Sequence, residues 1–484
     1  MKTTWINGGL LVVALWLATG AVAEEPERGV IAARPGASDV LDLEACVREA
    51  VSKNDQLTAE RFRRKELDGQ MNQALSTGLP TIDVTGAWNR SRDPSFALDS
   101  TFGGDGSGEI GTSPLDTLLA GFDFLPDPQD IPAQTFWRTS LNLSWTINPV
   151  KIIGAVGAAG QGIRRQELIL DQTRFAVEEQ VVSAYHGIVL AQEQSRAVEA
   201  ELANQREFLD IVRLRHDMGL VSRLDTLQAA VAVANIEPRL RQARQGVGLA
   251  GAQLNALMGR DPESPLSIRT EQVVELDELI KDKAVAMAEQ RPDVAQLDVM
   301  GDLLRQNRKA QKADMRPYFA VNSSYGYVGK AIKDLDDVGH DFWNASVSLN
   351  VPLFDGLLTK GLVQQTSASI LRTEAERNGL VRQVRVEILD VIDGLIAARE
   401  NLTAAELNME RAEELIDTST MMMREGLADY LTVLQSESGR AQARSNLIQA
   451  RYDVLTLTAQ LKKAIGVSPM LPLTAVPGLT SEES

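Results

Sequence analysis

Apolar and polar positions alternate in four stretches of this chain. Ile82, Val84 and Trp88 share one parity against Thr81, Asp83 and Thr85. Leu141, Leu143, Trp145 and Ile147 alternate with Ser140, Asn142, Ser144 and Thr146. Ala345, Val347, Leu349, Val351 and Leu353 alternate with Asn344, Ser346, Ser348 and Asn350, and Phe319, Val321, Tyr325 and Tyr327 share a parity in the fourth stretch. A period of two marks a strand with two different faces, so strands are predicted over 80–90, 137–149, 317–328 and 343–354. Long runs rich in Ala, Glu, Gln and Arg predict helices over 43–78, 155–218, 222–258, 279–314, 361–425 and 429–465. Pro80 and Pro317 each end a helix and open a strand, because proline cannot continue the helical hydrogen-bond ladder.

The pattern is written twice. An offset of 237 carries Leu43, Val47 and Ala50 onto Ile280, Ala284 and Met287, and Pro80, Val84 and Trp88 onto Pro317, Val321 and Tyr325. An offset of 206 carries Trp137, Ser140 and Leu143 onto Trp343, Ser346 and Leu349; an offset of 207 carries MGLVSRLDTLQ at 218–228 onto EGLADYLTVLQ at 425–435. The chain therefore divides into a first repeat at 41–259, an equatorial linker at 260–278, a second repeat at 279–466 and a C-terminal tail at 467–484. Before them lie a predicted secretory signal peptide at 1–23, cleaved after Ala21-Val22-Ala23, and an N-terminal tail at 24–40.

The two faces of the strands decide their environment. The polar face is made of small, mostly uncharged groups, which suits a watery lumen. Each strand is long enough to cross a bilayer at a tilt. Trp88, Trp137, Trp145 and Trp343 lie in or beside the strands, and with Tyr325 they form the expected aromatic girdle. Four strands cannot close a barrel, and an open edge in lipid strands backbone N–H and C=O groups without partners. The barrel must be shared between chains: two chains give eight strands, three give twelve. The helix at 155–218 would be roughly 95 Å long, and the helices at 43–78 and 222–258, laid end to end beside it, would meet at a waist. The predicted fold class is thus mixed α and membrane β: an internally duplicated chain whose long antiparallel helical hairpins form an α-barrel, with four transmembrane strands contributed to a shared β-barrel.

Composition narrows the function. The net charge is −17, with 66 acids against 49 bases, which argues against nucleic acid as a partner and suggests a lumen that prefers cations. One cysteine, Cys46, and three scattered histidines, His186, His216 and His340, leave no catalytic constellation and no metal site to predict, and no cofactor is expected. Gly106 to Gly111 spells G-x-G-x-x-G, but it lies in the acid- and glycine-rich loop 89–136 rather than between a strand and a helix, so it is read as loop.

The far ends of the long helices carry readable turns. Gly219 sits where a helix needs a left-handed residue, Ser222 is placed to cap the next helix, and Asp225 completes a capping box. Gly426 and Asp429 take the same places in the second repeat, and Leu220 and Leu427 become apolar tips that invite a partner.

The duplication, Pro80 and Pro317 entering strands, SVSLNVPLFDG at 346–356, and the GLxxxLxxLQ turns at 219–228 and 426–435 resemble the TolC-like outer membrane efflux protein family over essentially the whole mature chain. The resemblance implies a homotrimer with a twelve-stranded barrel in the outer membrane and a twelve-helix tube through the periplasm. It implies a passive exit duct, not an enzyme, that docks on a periplasmic adaptor (membrane fusion) protein and an inner-membrane pump and contacts outer-membrane lipid. The family's periplasmic gate maps onto Asp225 in the first repeat and onto Thr432 and Gln435 in the second, with the basic and tyrosine partners falling on Ala428 and Met423. An aspartate ring is therefore not expected, and closure is expected from packing around Met421, Met422 and Met423. Gly219, Leu220, Ser222, Gly426, Leu427 and Asp429 form the expected adaptor-docking tip. The competing readings are a periplasmic coiled-coil scaffold or adaptor without a barrel, and a barrel-anchored enzyme.

Overall fold

The computed structural model describes residues 40–91, 133–219, 221–269 and 281–472, apart from 333, 334, 336, 337, 426 and 429. The signal peptide at 1–23, the glycine motif at 106–111, Leu220, Gly426 and Asp429 lie outside the described residues.

The first repeat contains α1 (Leu43–Lys53), α2 (Asp55–Ser76), β1 (Thr81–Ser91), β2 (Gln134–Ile147), α3 (Pro149–Asp217) and α4 (Arg223–Leu257). The second contains α5 (Lys281–Ala286), a single tight helical turn at Met287–Gln290, α6 (Pro292–Ala313), β3 (Tyr318–Gly329), β4 (Asp341–Asn350), α7 (Leu358–Arg424) and α8 (Tyr430–Ala464). Among the described residues no helix is long and apolar enough to cross a membrane.

Four of the expected boundaries differ in the structure. The helix expected over 43–78 is two helices, broken at Asn54. The helix expected over 279–314 is likewise interrupted, at Arg291 before Pro292. The long helix expected from 155 starts at Pro149, inside the strand expected over 137–149. Asn148 ends the strand there: its side chain accepts a hydrogen bond from Lys151 N (3.2 Å) and Pro149 opens the helix without needing a donor. The strand expected to reach 354 stops at Asn350. Pro238 lies inside α4 without ending it.

The two breaks do one job with different residues. Asn54 is extended (φ −60°, ψ 131°), and its Oδ1 accepts from the backbone N–H of Gln56 (2.9 Å). Its Nδ2 donates to the carbonyl of Leu257, the last residue of α4 (3.1 Å). Arg291 is also extended (φ −59°, ψ 141°), as the residue before a proline must be, and its guanidinium donates to the carbonyl of Ala464, the last residue of α8 (3.2 Å). Each junction is closed by a glycine with positive φ, Gly259 and Gly466. A Cβ on Gly259 would stand 2.9 Å from the Lys53 carbonyl oxygen, and one on Gly466 would stand 2.9 Å from Arg291 Cγ. The short helices therefore meet end to end at a fixed level on the long ones, which is the waist.

Two apolar cores sit at that waist. One packs Cys46, Val47, Ala50 and Leu57 against Val177, Val181 and Ile188 of α3 and Leu254 of α4. The other packs Ala284, Ala288 and Val294 against Ile388, Ile392 and Leu395 of α7 and Leu461 of α8. The linker is tied in: Leu41 pairs with Ile268 in a parallel bridge, and the Tyr185 hydroxyl donates to the Arg269 carbonyl (2.6 Å). Glu49 takes both arms of Arg260. Glu178, almost fully buried, is held by Arg174 (2.8 Å) and by the Ser468 hydroxyl. Nearer the sheet the helices lie side by side in the order α2, α3, α6, α7. α6 packs on the long helices of both repeats, not only on its own. Gly154 permits this, since a Cβ there would lie 2.8 Å from the backbone nitrogen of Ala310.

Two predictions follow from the waist. Gly259→Ala forces a left-handed alanine and a contact with Lys53, and should cost about 2 kcal/mol, read as a lower midpoint of thermal unfolding in detergent. His186 is 7% exposed, its Nδ1 finds no hydrogen-bond partner among the described residues, and burial pushes its pKa down to about 4. The unfolded chain binds that proton near pH 6.5 and the folded chain only near 4, so this contribution is lost as pH falls between those values. By pH 5 the loss should reach about 2 kcal/mol. His186→Gln should flatten the fall in thermal midpoint between pH 7 and 5.

Candidate functional site

The four strands form one antiparallel sheet in the order β1-β2-β3-β4. The register sorts every side chain to one of two faces. Ile82 opposes Leu143, Val84 opposes Leu141, Leu141 opposes Tyr325, and Tyr325 opposes Trp343. Trp145, Val321 and Val347 form another row of the same face, as do Ile147, Phe319 and Leu349. Their exposure shows that none of the described residues covers this face: Val84 is 65% exposed, Trp343 74% and Val347 71%. The opposite face carries the rows Thr81–Ser144–Asn322–Ser346 and Asp83–Asn142–Ser324–Asn344. Its hydroxyls and amides bond to each other: Thr81 to Ser144 at 2.8 Å, Thr85 to Ser140 at 2.9 Å, and Asn142 Nδ2 to Asp83 at 3.1 Å. One face is thus unpartnered and apolar, the other hydrogen-bonded and wet.

The aromatic residues are spread over several rows of the register. Trp88 and Trp137 are direct cross-strand neighbours with ring centroids 6.5 Å apart. Tyr325 opposes Trp343 and Leu141, midway along β2 between Trp137 and Trp145. Tyr327 opposes Thr139, nearer Trp137, with its ring 5.8 Å from that of Tyr325; its parity was visible in the sequence, its row was not. Trp145 lies toward the helical end, where its indole N–H donates to the Gly78 carbonyl at the helix-to-strand junction (2.9 Å). Ten residues separate Ile147 from Trp137 along β2. At ~3.3 Å per residue and a tilt near ~40° they rise ~25 Å, the height of the apolar band of an outer-membrane barrel.

The helical hairpins end in two turns. Gly219 has φ +73°, and its N–H donates to the His216 carbonyl (2.8 Å). Ser222 and Asp225 form a reciprocal capping box: Asp225 Oδ2 accepts from Ser222 N (2.9 Å) and from its hydroxyl (2.7 Å), while Asp225 N donates back to Ser222 Oγ. In the second hairpin the N–H groups of Leu427 and Ala428 both donate to the Met422 carbonyl. Leu427 is 70% exposed. Of the gate residues named from the sequence, Asp225 and Met423 are half-buried and Thr432 and Gln435 are exposed. Asp225 is on the first hairpin and the other three on the second, so no single hairpin assembles them. Met421 and Met422 are exposed rather than packed within the chain.

A larger feature went unread in the sequence. Ile211 and Leu214 on α3 with Met218 at its C-terminal cap, and Leu224, Leu227 and Val231 on α4, repeat at the spacing of a coiled-coil seam and are all exposed. The seam spacing was present in the residues; what could not be read was that the partner helix of the same hairpin leaves it uncovered.

A family model described as outer membrane efflux protein matches residues 46–260 and 285–467. Outer membrane protein TolC of Vibrio cholerae is 21% identical over 429 residues, covering 86% of this chain and 89% of that protein. Alkaline protease secretion protein AprF of Pseudomonas aeruginosa is 24% identical over 312 residues, covering 62% of this chain and 64% of AprF. The matched segment thus spans a little under two thirds of AprF, and likewise 61% of the probable efflux pump outer membrane protein TtgC of Pseudomonas putida. Among solved structures, the outer membrane protein VceC from Vibrio cholerae superposes with a TM-score of 0.70 at 20% identity, over 88% of this chain and 96% of that one. A structure of CusC gives a TM-score of 0.72 at 16% identity. With the family model matching both repeats and the fold shared, this chain belongs to the outer membrane efflux protein family.

Proposed function

We propose that the protein is the outer-membrane channel of a tripartite efflux or type I secretion system, a passive duct whose periplasmic tip is opened by an adaptor protein and an inner-membrane pump. The observation that carries this reading is the sheet: among the described residues it has one uncovered apolar face, one wet face, and two unpaired edges. The edges coincide with the ends of the helical layer. On the β1 side, Phe62, Leu75 and Leu79 are exposed; on the β4 side, Leu357, Leu358, Leu371 and Val386 are exposed. These are different surfaces, so copies join head to tail, and such contacts close into a ring or run on as a fibre. Three copies give twelve strands and, with four helices of each chain abreast near the sheet, twelve helices at that level around one axis.

The relatives divide on cargo. One is named for protease secretion and another for efflux, and nothing in this chain's helices chooses between them. The choice lies with the pump. The uncovered seams near the tips, together with Leu220 and Leu427, are where neighbouring hairpins and the adaptor pack. Closure rests on apolar packing around Met421, Met422 and Met423 rather than on an acidic ring.

Full-length protein should sediment with outer membranes after a high-salt wash and, solubilised in mild detergent, should weigh three times the mature chain. Release by salt, or a monomer, overturns the reading in favour of a periplasmic scaffold. A photo-crosslinker at Leu427 in living cells should trap a periplasmic adaptor. Replacing Met421, Met422 and Met423 together with serine should raise single-channel conductance in a planar bilayer, and unchanged conductance would remove the methionine gate.

A further inference from the structure

The wet face of the sheet carries two charges among the described strand residues, Asp83 and Arg138. The other charged strand residues, Arg90 and Asp341, share the parity of the apolar face and lie at the strand ends farthest from the helices. Both charges on the wet face are held by their neighbours. Asn142, directly across on β2, donates its amide to Asp83 (3.1 Å) and also to Thr85 (3.1 Å). Arg138 sits between Ala87 and Val328, and its guanidinium carbon lies 4.3 Å from the ring centroid of Phe342, two strands away. Gly326 makes that reach possible. It stands between Ser140 and Phe342 in the adjoining row, and a Cβ there would lie 2.1 Å from the Thr139 carbonyl oxygen. With no side chain on β3 at that row, the guanidinium lies over the aromatic ring, an arrangement that fixes its position without neutralising it.

Resting on the reading of this face as a pore lumen, we propose that Asp83 and Arg138 are the charge filters of the β-barrel, two rings of opposite sign in series. Asp83 is four residues from Ala87, the strand neighbour of Arg138, so the two levels lie ~13 Å apart along the strand. The acidic level is nearer the helices and the basic level nearer the outer end. In three copies each becomes a ring of three like charges. A permeating ion meets both, and each ring attracts one sign and repels the other. This revises the expectation from net charge alone: within the sheet the acid and the base balance, and selectivity is set by position.

The test is the reversal potential of purified full-length protein in a planar bilayer under a KCl gradient. Arg138→Gln should shift the permeability ratio toward potassium, and Asp83→Asn should shift it toward chloride, each by about twofold or more. Arg138→Lys should keep the wild-type ratio. Conducting channels of both neutral variants with wild-type selectivity would overturn the filters while leaving the duct standing. Should Arg138→Gln fail to insert, Val328→Glu places an acid at the same level of the same face, and a potassium shift is again the supporting result and no shift the contrary one. Wild-type protein that forms no channel would overturn the duct reading itself, and the filters with it.

Discussion

A sheet edge cannot be left open in lipid. Each unpaired N–H or C=O in hydrocarbon costs several kcal/mol, and an edge strand carries a whole row of them. Most of this chain's design answers that one constraint. The sheet has an uncovered apolar face, which in water would be a liability for aggregation. It also has two edges, on β1 and β4, that pair with no strand among the described residues. Putting the face in a bilayer removes the first problem and makes the second worse. Only another copy, adding its β1 to this β4, removes both. On this reading oligomerisation is a condition for the sheet to exist in the membrane at all.

The helices inherit their arrangement from the same closure. Each strand is tied to a helix within a few residues, by Gly78 to Pro80, Asn148, Arg316 to Pro317 and Val351 to Leu357. The order of helices near the sheet follows the order of strands. If copies close the strands into a ring, as proposed, the helices must close into a ring with them. Two long helices per chain run the full length, α3 with 69 residues and α7 with 67, and the gaps between them must be filled along that whole length. Filling each gap with a pair of shorter helices leaves a break where they meet. That break is where the two apolar cores, the linker and the buried Glu178 gather.

The parts legible in the sequence were those set by local periodicity. The alternation in SLNLSWTI at 140–147 needs no distant residue to be read, nor does the turn Gly219–Ser222–Asp225, whose glycine, cap and box acid act within seven residues. The breaks at Asn54 and Arg291 were not legible. Their partners are the Leu257 and Ala464 carbonyls, 203 and 173 residues away, and the two sites use an amide in one repeat and a guanidinium in the other. The repeat conserves the geometry and not the side chain, so aligning the halves hid the feature it should have exposed. The cation–π contact of Arg138 was hidden for a similar reason. It depends on which residue of β4 stands beyond Gly326, and that follows from register across two strand pairs.

The tip shows why one residue's local role constrains its global one. Asp225 is the residue that the family resemblance marks as a gate acid, yet its carboxylate already accepts two hydrogen bonds from Ser222. A carboxylate used this way completes the capping box of α4, and drawing it off to pair across a pore would open that box and take the acceptor from the Ser222 N–H. The second hairpin offers Thr432 and Gln435 at the corresponding places, neither of which carries charge. What both hairpins share instead is uncovered apolar surface: Leu214, Met218, Leu224 and Leu227 on one, Leu415, Met421, Met422 and Leu431 on the other. Apolar seams are non-directional, so they can exchange one helical partner for another without leaving a polar group unpaired. In the proposed duct, a gate built on them would close when neighbouring hairpins cover each other and open when a docking helix supplies the same kind of surface.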